Sequence, residues 1–132
     1  MGVFMSSMFC LQPPGDTFTR KSVFDSMVAG CIPVFFCSES AYTQYRWYLP
    51  SNFNKFSVYI PEKAVREKTV RIEDVLLGYS DEQIHEMREN VIAMIPTLVY
   101  KDPTTESDDD LRDAFRVAVD GVLLRIHSSQ VL

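Results

Sequence analysis

Gly15, Thr17, Thr19, Arg20, Ser22 and Asp25 crowd one short stretch of the chain, and their types suit one kind of ligand. The run Phe9-Cys10-Leu11-Gln12-Pro13-Pro14-Gly15-Asp16-Thr17-Phe18-Thr19-Arg20-Lys21-Ser22 reads as a strand, a Gly/Pro/Thr loop and the basic start of a helix. Such a helix start presents unbonded backbone N–H groups and the positive end of the helix dipole, with Arg20 and Lys21 alongside. That combination suits an anion, and a diphosphate best. Gly15 permits close backbone approach, and the hydroxyls of Thr17 and Thr19 can donate to phosphate oxygens. The competing reading is an ordinary strand-to-helix turn with Thr19 as its N-cap. Arg20 carries the most chemistry. Its guanidinium fork can neutralise a departing diphosphate, whereas a bare first-turn cation is unfavourable against the dipole. Ser22 and Asp25, three apart, share a helix face near it. Asp25 can accept from ribose hydroxyls, as acidic residues do in other nucleotide-binding folds; the alternative is a plain helix-face charge.

Those side chains need a scaffold. Met8 to Leu11 and Ile32 to Phe36 suit buried parallel strands. Between them the spacing predicts a helix over Arg20 to Ala29, with Val23, Phe24, Met27 and Val28 on one face. Gly30 stands at its C′ stop and Pro33 opens the next strand. Strand, helix, strand in this order calls for a right-handed crossover. In open parallel sheets, ligands gather beyond the carboxyl ends of the strands, which is where the Gly15 loop lies. Ser57 to Ile60 predicts a third strand, ended by Pro61. Ser80 with Gln83 makes a capping box for a helix striped by Ile84, Met87, Val91, Ile95 and Leu98. Pro96 is expected to kink or end that helix. A last helix is expected from Asp108–Asp110, with Leu111, Phe115, Val119, Val122 and Ile126 as its apolar face. The fold class is therefore α/β, a short parallel sheet followed by C-terminal helices. Three strands are few for such a sheet, so the pattern predicts part of a domain whose sheet neighbours lie upstream.

The 132 residues, 46% of them hydrophobic, suffice for one core. A formal charge of −5 argues against a nucleic-acid partner, which calls for a basic surface. No apolar run reaches the ~20 residues of a membrane-spanning helix, and no signal-peptide pattern opens the chain. Cys10, Cys31 and Cys37 lack metal-ligand spacing. Cys10 and Cys31 flank strands and read as buried thiols, a bridge between them being the alternative. His85 and His127 have no partner that would make a catalytic base. Asp108–Asp110 reads as a solvated helix start, because consecutive residues project in different directions; no metal site is predicted.

Phe9 to Asp16, Arg20 to Met27 and Ala29-Gly30-Cys31-Ile32-Pro33-Val34 resemble the exostosin-like glycosyltransferase family, especially its plant xyloglucan galactosyltransferase branch. Ser40-Ala41-Tyr42-Thr43-Gln44-Tyr45, Trp47, Leu49-Pro50, Met87-Arg88, Ile95-Pro96 and Asp113-Ala114-Phe115 continue the resemblance. It implies the GT-B architecture, two Rossmann-like domains around a cleft, with residues 1–132 as the C-terminal part of the donor-binding domain. A membrane anchor, an acceptor-side domain and the general base would lie upstream, so the chain alone is not expected to catalyse. The activity implied is inverting transfer of galactose from UDP-galactose to xylosyl side chains of xyloglucan, in cell-wall synthesis, on the lumenal side of the Golgi membrane.

Under that resemblance Gly15, Thr17, Thr19, Arg20, Ser22 and Asp25 hold the sugar nucleotide, and Arg20 stabilises the leaving diphosphate. The helix dipole and Arg20 would stand in for a metal cation. Tyr42 and Gln44 are the ligand candidates of the aromatic region, with Tyr45, Trp47 and Tyr48 as core. Cys37-Ser38-Glu39 departs from a family loop that usually carries His, Pro and Gly, and Tyr48 stands where His is frequent. The identity of the transferred sugar stays open on that account. A nucleotide-binding module without transfer activity and an inactive truncated relic are the rival readings.

Overall fold

The computed structural model describes residues 7–102, 104 and 112–129. Three short parallel strands, β1 (Phe9–Gln12), β2 (Ile32–Phe35) and β3 (Val58–Tyr59), form one sheet in the order β1-β2-β3. Phe9 pairs with Ile32 and Gln12 with Phe35, while Val34 pairs with Val58. The strands lie within a residue or so of their predicted places. All three carboxyl ends point the same way, so the loop after β1 and the turn after β2 share one edge of the sheet.

β2 is buried along its whole length and sends alternate side chains to opposite faces. Phe35 joins Val23, Met27, Leu49, Phe56, Val91 and Met94 on one face. Ile32, Val34 and Phe36 join Val58, Ile60 and Met87 on the other. Burying side chains of this size is worth ~1.5–3 kcal/mol each, which anchors the sheet from both sides. Helix α1 (Lys21–Val28) packs on the first face and is covered by α4 (Asp81–Leu98). Two short helices missing from the sequence reading, α2 (Glu62–Arg66) and α3 (Ile72–Leu77), cover the second. Neither is long enough to establish a helical period, so their apolar residues read as irregular.

The capping box of α4 is complete: Gln83 N donates to Ser80 Oγ (3.3 Å) and Ser80 N to Gln83 Oε1 (2.9 Å). Pro96 does not stop α4, which continues to Leu98. The bond it forfeits lies in the last turn, where a missing N–H disturbs little. Helix α5 (Ala114–Ser129) carries the largest correction. Its expected start at Asp108–Asp110, and Leu111 of its stripe, lie outside the described residues. Asp113 caps it instead, Oδ1 accepting from Arg116 N at 2.9 Å. That bond, with a second from Lys101 N, holds the Asp113 carboxyl below its ordinary pKa. The buried side of α5 is Ala114, Val117 and Gly121, whereas Phe115, Val122 and Ile126 of the predicted apolar face are exposed. The Trp47 ring sits over Gly121, where an added Cβ would come within 2.6 Å of it. Close approach of the indole therefore selects the small-residue face. No helix among the described residues is long and apolar enough to cross a membrane.

Cys10 and Cys31 are joined in a disulfide, which overturns their reading as thiols. The geometry comes from the end of α1. Gly30, at φ 71°, donates to Met27 O, and Cys31 N reaches back to Ser26 O at 2.9 Å, the paired bonds of a Schellman turn. That turn delivers Cys31 to the start of β2, with its Cα 5.9 Å from that of Cys10. Spacing in the sequence could not reveal this separation. Cys37 is a free thiol.

Candidate functional site

At the carboxyl end of β1 the chain leaves the sheet through Pro13 and Pro14, runs through an exposed loop and enters α1. Asp16, Thr17, Arg20, Lys21 and Ser22 line an open cavity of about 470 Å³ there. This volume lies within the ~300–1,000 Å³ range of small-molecule pockets. Four of the residues singled out from sequence thus meet around one space: Thr17, Arg20 and Ser22 as walls, with Gly15 beneath Arg20.

Arg20 is the N-cap of α1, in extended conformation (φ −137°, ψ 130°), and no side chain caps the helix. Thr19 does not serve as the cap because the helix begins one residue later than the turn reading requires. Its hydroxyl instead pairs with that of Thr17 at 3.3 Å, and Thr17 Oγ1 also donates to Thr19 O at 3.0 Å. The first turn carries no acidic residue. An uncapped turn with that charge balance leaves its amides and dipole to attract an anion.

The cations differ. Lys21 pairs with Asp25 at 3.5 Å along the helix, while Arg20 has no ion-pair partner among the described residues. Asp25 is therefore engaged on the helix face and does not line the cavity. The Arg20 guanidinium folds back over Gly15, so that a Cβ built on Gly15 would lie 2.6 Å from Arg20 Cζ. The close backbone approach expected at Gly15 is thus occupied by Arg20. Asp16 also lines the cavity, a carboxylate the sequence reading passed over. It stands against Arg20 and Lys21, and the wall remains net cationic.

Beneath the site lies a residue that sequence reasoning missed. Gln12, only 3% exposed, accepts from Ser22 Oγ (2.8 Å) and donates to Ser26 Oγ (3.2 Å) and Ser22 O (3.4 Å). The one available signal was a polar residue at the end of an apolar strand. Ser22 consequently turns its hydroxyl proton toward Gln12 and not toward the cavity. Ser26 is fully buried.

Tyr42 and Gln44 do not line the cavity. Tyr42 stacks on Phe53 (centroids 3.8 Å apart, 20°), meets Phe35 edge-on at 5.3 Å and hydrogen-bonds Ser57 Oγ at 2.9 Å. Burial pushes its phenol above the ordinary tyrosine pKa, against the opposing Ser57 bond. One face of its half-buried ring is taken by Phe53, and the ring packs against the core away from this cavity, so the structure does not bring it to the site as a ligand candidate. Gln44 is an exposed turn residue. Tyr45 packs edge-on against Phe24 at 4.7 Å, and Tyr48 bonds Ala114 O at 3.3 Å, joining this segment to α5. After β2, Cys37 Sγ and Ser38 Oγ both donate to Glu39 Oε2 at 2.9 Å. Those bonds, the one from Cys37 first, lower the Glu39 pKa, while the same contact and then burial raise that of Cys37. His85 is exposed, and His127 Nδ1 is bonded to Leu123 O in its own helix. Among the described residues no three His, Cys, Asp or Glu are grouped to hold a metal ion.

Comparison with known proteins gives this geometry a context. Residues 1–76 match the Exostosin GT47 domain. The chain is 53% identical over 126 residues to xyloglucan galactosyltransferase MUR3 of Arabidopsis thaliana. From the same plant, it is 55% identical over 129 residues to a probable xyloglucan galactosyltransferase, GT15, and 49% over 128 to xyloglucan galactosyltransferase XLT2. Each alignment covers 96% of this chain, which spans 20%, 27% and 24% of those three proteins.

Proposed function

The chain belongs to the exostosin GT47 family, and from that premise we propose that it is the donor-binding portion of an inverting galactosyltransferase. The donor is UDP-galactose and the acceptor a xylosyl side chain of xyloglucan. The surrounding architecture is GT-B, with residues 1–132 in its C-terminal, Rossmann-like domain. One observation carries the reading: a guanidinium with no ion-pair partner among the described residues stands at an uncapped helix start, beyond the carboxyl end of a parallel strand. The names of the relatives support galactose as the sugar and xyloglucan as the acceptor.

The diphosphate rests on the Lys21 and Ser22 amides, with Arg20 over its oxygens. As the bond from the anomeric carbon to the diphosphate oxygen breaks, negative charge accumulates on that oxygen. Arg20 and the helix dipole stabilise it. The acceptor hydroxyl attacks the anomeric carbon from the opposite face, after losing its proton to a base supplied outside these residues. The Cys10–Cys31 disulfide is consistent with an oxidising compartment, which supports residence in the Golgi lumen.

Arg20→Ala in the full-length polypeptide that carries this chain tests the assignment. Transfer of labelled galactose from UDP-galactose to xyloglucan falls about a hundredfold or more, the scale of a lost transition-state donor. Undiminished turnover refutes it. A chain that binds nothing, the relic reading, would show no UDP-dependent rise in melting temperature.

A further inference from the structure

We infer that Gln12 is the positioning residue of the anion site, holding the first turn of α1 in the orientation that aims its amides into the cavity. The inference rests on the diphosphate reading above. The proton directions in the Gln12 network are forced. Ser22 O can only accept, so the Gln12 amide must present Nε2 to it, at 3.4 Å. Ser26 Oγ gives its own proton to Val23 O at 2.7 Å, so it accepts from Nε2 at 3.2 Å. The Gln12 oxygen is then left to accept from Ser22 Oγ at 2.8 Å.

One buried amide at the carboxyl end of β1 thus grips the second helical residue by both backbone and side chain. It reaches Ser26, one turn further along the same helix, as well. A buried amide that loses any of these partners leaves a polar atom unsatisfied, so the network resists rotation of the helix end. The grip also has a chemical consequence. The Ser22 hydroxyl proton is committed to Gln12, and what Ser22 can offer a phosphate oxygen is its backbone N–H. A leucine at position 12 fills similar space but holds neither Ser22 nor Ser26.

The test measures UDP dissociation constants, donor KM and kcat for the full-length polypeptide, with melting curves as a control for folding. Gln12→Leu raises the UDP Kd and the donor KM about tenfold at a temperature where the variant is fully folded, the scale of one charge-assisted contact. Ser22→Ala added to Gln12→Leu changes the Kd by less than about twofold, because the two act through one link. Ser26→Ala, which is buried and lines no part of the cavity, raises the Kd about two- to threefold through the same amide. If Gln12→Leu does not fold, Ser26→Ala decides. An unchanged UDP Kd in Gln12→Leu, or in Ser26→Ala where that variant decides, overturns the inference even when the melting temperature falls. Arg20→Ala separates the two levels: if it too leaves UDP binding intact, the diphosphate reading itself fails.

Discussion

Replacing Gly15 by alanine would put a methyl carbon 2.6 Å from Arg20 Cζ, where ordinary contact between carbon atoms needs about 3.6 Å. The guanidinium must therefore move by more than about 1 Å, because Nη2 lies nearer still than Cζ. The three nearest heavy atoms all belong to the Arg20 side chain, the far end of a flexible stem that can move aside. Gly15 does not have positive φ, unlike Gly30, and alanine can adopt its conformation. Alanine also restricts the unfolded chain, which favours folding by about 0.4–1 kcal/mol. Stability should accordingly hold or rise slightly while catalysis suffers. A misplacement of about 1 Å at a reacting group can cost up to a hundredfold. Because the arginine stem can recover part of the shift, the proposed function predicts that kcat/KM for UDP-galactose, measured on the full-length polypeptide that carries this chain, falls about ten- to a hundredfold. The assay pairs galactose transfer to xyloglucan with a thermal melt of the same preparation. Unaltered kcat/KM at an unaltered melting temperature would refute the seat of Arg20 on Gly15, and a large drop in melting temperature would refute the steric argument.

The Cys10–Cys31 bridge closes a loop of sequence separation 21, for which chain entropy gives about 3 kcal/mol. Reduction, or Cys10→Ser with Cys31→Ser, should lower the melting temperature by about 10 °C; equal melts with and without reductant would contradict this. Tyr42→Phe should cost about 1 kcal/mol by removing the bond to Ser57 and leave the UDP Kd unchanged, since Tyr42 packs against the core and lines no part of the cavity. A weakened UDP Kd would return Tyr42 to the site. The raised native pKa of Tyr42 means the unfolded chain ionises first, at about 10. Its contribution is complete below that pH and is lost as pH rises through the native value. Tyr42→Phe should therefore lose less stability than the parent between pH 8 and 11 in urea titrations, and identical losses would show that burial of the phenol is not felt.

The βαβ unit was legible in the chain because its signals are local. Apolar runs, a glycine where a helix must stop and a capping box all act within a few residues, so the three strands, α1 and α4 fell close to their predicted places. The loop from Gly15 to Ser22 was legible for the same reason. Its glycine, hydroxyls and basic residues are adjacent, and a strand-to-helix turn brings neighbours together whatever surrounds it. Contacts between distant segments were not written in any window. The Cys10–Cys31 bond depended on how the Schellman turn aims Cys31, and the exposed stripe of α5 depended on Trp47 choosing Gly121. Tyr42 looked free until Phe53 and Ser57 closed on it. Gln12, at the end of β1 and one residue past the predicted strand, carried no visible role until α1 folded back to place Ser22 and Ser26 within its reach. Side-chain identity sets which bonds are possible; the packing of segments far apart in the chain selects which of them form.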